Sequence, residues 1–574
     1  MAVEPVVYRA GHASSGSAAA ADPVTTEVIR HGLNSAAEAI KRTLVRTSMS
    51  PIIYEVLDFA AVLYDRRMRL LAQAPSLPFF MGTMSFCIEA AVEEVGGEEH
   101  LFPGDIILMN DPYKTGSHPQ DAAVVMPIFL PDGGELIGYS AIKAHWLDIG
   151  AKEIYCTDTT DVFQEGTIFP GVKLYSKGEL VKDIQKMATA NSRLPKFVLG
   201  DINAEVAGVR AGARELVRLV QRYGLETFSI CVERMYDHGE AVVRSYLEQL
   251  PDGRYVGRGE MDDDGITSDP IPFEVILEID GSTARLDFSQ TPDARKGPVN
   301  CPIASTVSAA RVIMTMLAGG GEAPNEGHFR PIEVISRPGS MFHALSPSPC
   351  FLYGWPAMQA TEVVLNAVAE AMPEAVCACS GGDLCAVMWY GVREETGAFW
   401  GDGSPHPVGQ GASIHGDGQN ARLHHIEAAT RFAPLEVWEA KNPWLMEYCE
   451  LAPDSGGPGR FRGGLGPDMA FHFLEDAFTI STIERTKNAP WGLVGGLSGR
   501  ANSGELQLPD GSSQPVAKVT GLPLPKGATV VVRGGGGGGY GNPAERDREA
   551  VLADVREGYV TEAQARLHYP HAFA

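Results

Sequence analysis

Apolar residues near the start of the chain recur at helical spacing. Val28, Ile29, Leu33, Ala36, Ala37, Ile40, Leu44 and Val45 predict an amphipathic helix over 25–47. The pattern then becomes a continuous apolar run between Asp58 and Asp65, a strand, followed by a turn at Arg66–Met68 and a short helix over 84–95. Asp105–Met109 reads as a buried strand. Ala122–Leu130 and Glu135–Ala144 are two more, joined by the turn signal Pro131-Asp-Gly-Gly134, and predict a β-hairpin. Two longer helices are expected at 201–223 and 231–250. Apolar and polar residues alternate through 252–290, with Asp-Gly turns at 252 and 280, which predicts antiparallel strands. Helices rich in small residues are expected at 305–317 and 360–371. Beyond about 450 glycine and proline are frequent and the strands short: 468–473, 477–482, 504–508 and 528–533. Two helical pieces close the chain, broken at Gly558, with Thr561 as an N-cap.

The implied fold class is mixed α and β, multi-domain. A disordered tail is expected over 1–23 and an α+β metal-binding region over 24–200. Helices then antiparallel strands fill 201–300, and a helical or mixed core 301–450. A β-rich, glycine-rich domain covers 451–544 and a helical tail 545–574.

The hairpin carries the chemistry. A turn centred on residues 132 and 133 places His145 opposite residue 120. His118 and Asp121 then start one strand, and His145 and Asp148 end the other, at the same end of the sheet. Two histidines with carboxylates suit zinc, manganese or iron, and an incomplete protein shell leaves room for water or substrate. Glu55 or Asp58, flanking the preceding strand, is the candidate fourth ligand. Glu165, in the polar segment that follows, is a candidate general base.

Charge and composition narrow the function. The 574 residues hold 47 Lys plus Arg against 72 Asp plus Glu, a formal charge of −25. That excludes a general binder of nucleic acid or anionic membrane. Ile303–Leu317, the most apolar stretch, is broken by Arg311 and too short to span a bilayer. The first 23 residues lack the basic start of a secretory leader. The nine cysteines, odd in number and without a C-x-x-C pair, read as free thiols in a reducing cytosol. No phosphate-binding loop and no G-x-S-x-G elbow occurs. His328, His415, His424 and His425 show no metal spacing to a second ligand. Glycine is the outlier, 64 residues where ~7% is usual. The run Gly534–Gly539 and the loop Gly456–Gly464 are expected to serve close packing within a multi-subunit assembly, not a phosphate.

Several motifs together carry a resemblance. They are Ser50-Pro-Ile-Ile-Tyr-Glu-Val-Leu-Asp-Phe59, Asn110-Asp-Pro-Tyr113 with Gly116-Ser-His-Pro-Gln-Asp121, and Ala144-His-Trp-Leu-Asp-Ile-Gly150. Phe163-Gln-Glu-Gly-Thr-Ile-Phe-Pro170, Asp454-Ser-Gly-Gly-Pro-Gly-Arg460 and the Gly534–Pro543 run complete the set. On these the chain resembles the hydantoinase B/oxoprolinase family from about residue 22 to 570. The resemblance implies a subunit that works with an A-type partner holding ATP and magnesium, in a cytoplasmic hetero-oligomer. The reaction it implies is opening of a small cyclic amide such as a hydantoin, 5-oxoproline or a lactam. The alternative is carboxylation of a ketone such as acetone or acetophenone, and a second alternative is a non-catalytic structural subunit. It places a divalent metal on Glu55 or Asp58, His118, Asp121 and His145, with Asp148 or Glu165 to orient water. Pro119-Gln120 and Gly150-Ala151 depart from the common family pattern and leave those ligands intact.

Overall fold

The structure, a computed structural model, describes residues 3–11, 22–131, 134–319, 321 and 323–573. Residues 12–21 of the expected tail, and 132–133 of the expected hairpin turn, lie outside the described residues. Val6–Tyr8 (β1) is not a tail. It pairs antiparallel with Ile332–Ser336 at the edge of a five-stranded sheet. Three residues carry too little pattern to be read as a strand from sequence.

Pro23–Thr47 (α1) starts where proline's fixed φ suits the first helical position, with the Asp22 carboxylate accepting the Thr25 N–H at 2.8 Å. Ile29, Leu33, Ala36, Ala37, Ile40 and Leu44 form its buried face; Val28 is exposed. That face packs with Pro195–Tyr223 (α2) and Leu225–Leu247 (α3) in one hydrophobic cluster.

The site is built on a seven-stranded sheet. Its strands are Phe59–Asp65 (β2), Leu70–Gln73 (β3), Ile106–Met109 (β4), Asp121–Phe129 (β5), Leu136–His145 (β6), Pro170–Ser176 (β7) and Glu179–Leu180 (β8), in the order β3-β2-β6-β5-β4-β7-β8. Every residue of β2 and β6 is buried, so both faces of the sheet are covered. Alternate residues serve different cores, as the two-residue strand period requires. Phe59, Ala61, Leu63, Ile142 and Ala144 pack under α1 and α2, whereas Ala60, Val62, Tyr64, Tyr139 and Ala141 pack into the cluster on the other side.

The second cluster includes Ile303–Ala318 (α4), Gly354–Ala371 (α5) and the sheet of Gly253–Met261, Ile271–Asp280, Thr283–Asp287 and Ile332–Ser336. Two expected domain boundaries do not fall between elements. The one at 200/201 lies inside α2. The one at 450/451 is crossed by a sheet, because Ala386–Val392 pairs with Ala477–Thr482. Non-local strand pairing leaves no local sequence trace, which is why the composition shift near 450 misleads.

The glycine excess has a structural account. The N–H groups of Gly534 and Gly537 bond to the carbonyls of Pro467 and Gly464, and those of Gly536 and Gly539 to Arg500 and Leu497. The carbonyls of Gly535 and Gly538 accept from Gly409 and Ala412. Partners recur every three residues on both chains, the period of an extended polyproline II helix. The run 534–539 is thus a rod surrounded by neighbouring extended segments at backbone contact. A Cβ on Gly536 would sit 1.8 Å from the Ser455 carbonyl oxygen, and one on Gly537 1.9 Å from that of Gln410. The close packing expected of these glycines is therefore made within the chain itself.

Candidate metal centre and its cavity

The site forms where β5 begins and β6 ends. Asp121 and His145 are directly paired in the hairpin, so their side chains leave the sheet on one face. His118 precedes β5 by one turn, in which its carbonyl accepts the Asp121 N–H at 3.1 Å. The loop that carries it is fixed from below. Gly116 ends the helical turn Pro112–Thr115 at φ +75 and packs against Ala304 of α4, and Asn110 donates to the Pro119 carbonyl at 2.7 Å.

Three ligand atoms meet here. His118 Nε2, His145 Nδ1 and Asp121 Oδ1 lie 3.1 Å from one another on all three sides. The side chains are almost wholly buried. His118 Nδ1 is 2.9 Å from the Phe351 carbonyl oxygen, an acceptor, so the proton sits on Nδ1 and a lone pair on Nε2. That lone pair faces a carboxylate oxygen and a second imidazole nitrogen. One divalent cation among the three can accept all of these lone pairs at once. At ~2.1 Å from a metal, ligand atoms at right angles lie ~3.0 Å apart and at the tetrahedral angle ~3.4 Å apart. The triangle fits one face of such a shell.

Neighbouring residues complete it. The Tyr353 hydroxyl donates to Asp121 Oδ2 at 2.7 Å, leaving Oδ1 for the triangle. Asp58 Oδ2 is 3.9 Å from His145 Nδ1, and its Oδ1 is a buried acceptor with no hydrogen-bond partner. Ile52–Val56 winds as a short π-helix, and Leu57 follows in the left-handed conformation at φ 67, which turns the chain at Asp58. Such strain in a leucine marks a position held by its surroundings. Burial, opposed by His145 and reinforced by the Asp121 charge, pushes the Asp58 carboxyl up to about 7. Burial also raises Asp121, but the two imidazoles outweigh it and hold this carboxyl well below the usual range.

The sequence candidates thus separate. His118, Asp121 and His145 converge and Asp58 stands beside them. Glu55 does not join the cluster; its charge is felt instead by Asp402. Asp148 is redirected. Its carboxylate is held by the Arg193 guanidinium, at 2.6 Å to Oδ1 and 3.2 Å to Oδ2, and by the Gly150 N–H. Residues three apart point to opposite faces of a period-two strand, and the chain beyond β6 is irregular, so H-x-x-D does not carry Asp148 to the side of His145. Glu165 is also committed. It accepts from the Thr159 hydroxyl and from the N–H groups of Cys350 and Phe351. Burial pushes its carboxyl up to about 8. Glu165 thereby braces the backbone whose Phe351 carbonyl orients His118.

The triad opens into a cavity of about 80 Å³ lined by Asp58, His118 and His145 with Tyr155, Tyr353, Trp355 and Glu427. This is small beside the ~300 Å³ at which ordinary ligand pockets begin. It suits a small ring or a few waters, not a nucleotide. Tyr353, Trp355 and Glu427 were not foreseen. The aromatic run Phe351-Leu-Tyr-Gly-Trp355 ahead of a helix was a visible signal, but its meeting with β5 spans over 200 residues. Glu427 gave no signal in sequence.

A second cluster of metal-ligating side chains occurs among the described residues: Glu362 with His424 and His425. All nine cysteines are free, and no described helix is long and apolar enough to cross a membrane.

Comparison with known proteins agrees with this architecture. The family model for hydantoinase B/oxoprolinase matches residues 22–543. The chain is 30% identical to a protein named as the B-type subunit of a D-/L-hydantoinase from Pseudomonas sp. strain NS671, over 96% of this chain and 95% of that one. It superimposes with TM-score 0.86 on the crystal structure of ATP-dependent caprolactamase from Pseudomonas jessenii, at 28% identity and 96% coverage of both chains. Acetone carboxylase in its nucleotide-free structure shares the fold, with TM-score 0.85 at 19% identity, over 96% of this chain and 79% of that one. The motifs, the mixed α and β architecture and these matches, taken together, make the chain a member of the hydantoinase B/oxoprolinase family.

Proposed function

We propose that this chain is the metal-carrying B-type subunit of an ATP-dependent enzyme that opens small cyclic amides. ATP and magnesium are held by an A-type partner in a hetero-oligomer. The observation that carries the reading is the buried 3.1 Å triangle of His118 Nε2, His145 Nδ1 and Asp121 Oδ1. Its lone pairs suit a divalent cation, of zinc, manganese or iron type. Asp58 is the fourth ligand, in place of Glu55. Bound there, the cation supplies Lewis-acid polarisation of a carbonyl or phosphoryl oxygen.

The chain's own residues do the rest. Phe351 and Tyr353 fix the tautomer of His118 and the free oxygen of Asp121, so the ligands are set before substrate arrives. Tyr155 and Trp355 line the cavity and give it apolar surface. Glu427, on the same wall, is the carboxyl placed to give or take a proton at the ring nitrogen. The hydrolytic reading is favoured over carboxylation by sequence identity, 30% and 28% to the hydantoinase and caprolactamase relatives against 19% to acetone carboxylase.

The test is co-purification with the A-type partner and measurement of substrate-dependent ATP consumption. Hydantoin, N-methylhydantoin, 5-oxoproline and caprolactam are compared with acetone and acetophenone, each with and without bicarbonate. Ring opening without bicarbonate is expected. Turnover of a ketone that requires bicarbonate would assign carboxylation instead.

A further inference from the structure

We propose that Glu362, His424 and His425 form a second divalent-cation site, separate from the triad, of the zinc type. Glu362 lies within α5, and the two histidines begin the turn His425–Glu427. Glu362 Oε1 is 3.3 Å from His424 Nε2 and 3.4 Å from His425 Nε2. The three ligand atoms lie within 4.8 Å of one another. The side chains of Glu362 and His424 are 1% and 0% exposed, and that of His425 14%.

Both histidine nitrogens that face Glu362 Oε1, His424 Nε2 and His425 Nε2, are buried without a hydrogen-bond partner, and so is the second oxygen of that carboxylate, Oε2. Buried polar atoms are costly when unpaired, so three in one place call for a counter-ion. A cation held between Glu362 Oε1 and the two Nε2 atoms gives both nitrogens a partner and neutralises the carboxylate to which Oε2 belongs. The separations of 3.3 and 3.4 Å match the ~3.4 Å edge of a tetrahedral shell with ~2.1 Å bonds. Two imidazoles and a carboxylate are a zinc ligand set, and water can take the fourth position. The Ser380 hydroxyl donates to Glu362 Oε1 and orients the carboxylate. His424 Nδ1 accepts the Ile426 N–H at 3.5 Å, a contact at the long limit of a hydrogen bond. Ligation through Nε2 puts the proton on Nδ1 and gives up only this contact.

The placement gives the site a role. It ties α5, which begins immediately after Tyr353, to the segment that carries Glu427 and Thr430 onto the wall of the triad cavity. A cation here would hold two walls of that cavity in register.

The test is metal analysis of the full-length chain, with its partner present if solubility requires it, after loading with zinc and removal of excess. The wild type is expected to hold two equivalents per chain. His425→Ala and Glu362→Gln are each expected to hold one, and His118→Ala/His145→Ala one. Glu362→Gln keeps side-chain volume and the Ser380 contact, so it serves if His425→Ala does not fold, as judged by circular dichroism. Cobalt substitution of the His118→Ala/His145→Ala chain should give a tetrahedral visible spectrum. A wild type holding a single equivalent, lost entirely in the triad variant, would overturn the proposal. So would folded His425→Ala with unchanged metal content. Failure of the triad reading shows separately, as metal that survives loss of His118 and His145 undiminished.

Discussion

A phenol and a carbonyl decide what the triad offers a cation. Tyr353 takes one oxygen of Asp121 and the Phe351 carbonyl takes the Nδ1 proton of His118, so one lone pair of each ligand is left pointing inward. Tyr353→Phe should lower metal affinity about 10–100-fold with the fold intact, measured by competition with a chelator; unchanged affinity would remove Tyr353 from this role. Asp148 is the contrast. Its side chain is fully buried and paired with Arg193, which is about a third exposed. Asp148→Ala should cost about 2–3 kcal/mol of stability, less than the loss from a fully buried pair because solvent screens the arginine side. Denaturant unfolding measures this, and metal content should not change. His118, Asp121 and His145 were legible in sequence because a hairpin is local; counting from the turn puts residue 120 opposite His145, and an irregularity between Ile128 and Phe129 moves the pairing by one, to Asp121. Asp148 does not join them because an H-x-x-D spacing puts its two residues on opposite faces of a strand, and beyond His145 the chain turns Asp148 to Arg193. The bracing of the 350–351 backbone by Glu165 was not legible, because Cys350 and Phe351 lie 185 and 186 residues away.

At the scale of elements, helices and strands with strong periodicity were legible almost to their ends. α1, the hairpin and the Thr561-capped final helix all follow their patterns. The glycine rod was not legible as a rod. Its hydrogen bonds go to several segments remote in sequence, and the sequence signal is only that no side chain is tolerated. Gly537→Ala should destabilise by about 3 kcal/mol or more, because its Cβ meets backbone that cannot step aside. Gly354→Ala is the control. Nothing lies within 4 Å of its Cβ, and alanine is the better helix former, so stability should be unchanged or rise by up to ~1 kcal/mol. Thermal or denaturant melts of the two variants check both signs; equal stability in Gly537→Ala would refute the rod packing.

For the whole molecule, a net charge of −25, a sequence without a phosphate loop and a cavity of about 80 Å³ point the same way. They are consistent with the proposed division of labour, in which nucleotide belongs to a partner and a small ring to this chain. Purified alone, the chain should show no substrate-dependent ATP hydrolysis, read by a coupled assay; robust activity from it alone would contradict that division of labour. The central claim is the metal on the triad, and it has a direct measurement: the metal content of purified His145→Ala against wild type, by elemental analysis at equal protein concentration. The variant is expected to hold one equivalent fewer per chain while keeping its fold. A folded His145→Ala chain with the full wild-type content would contradict the claim.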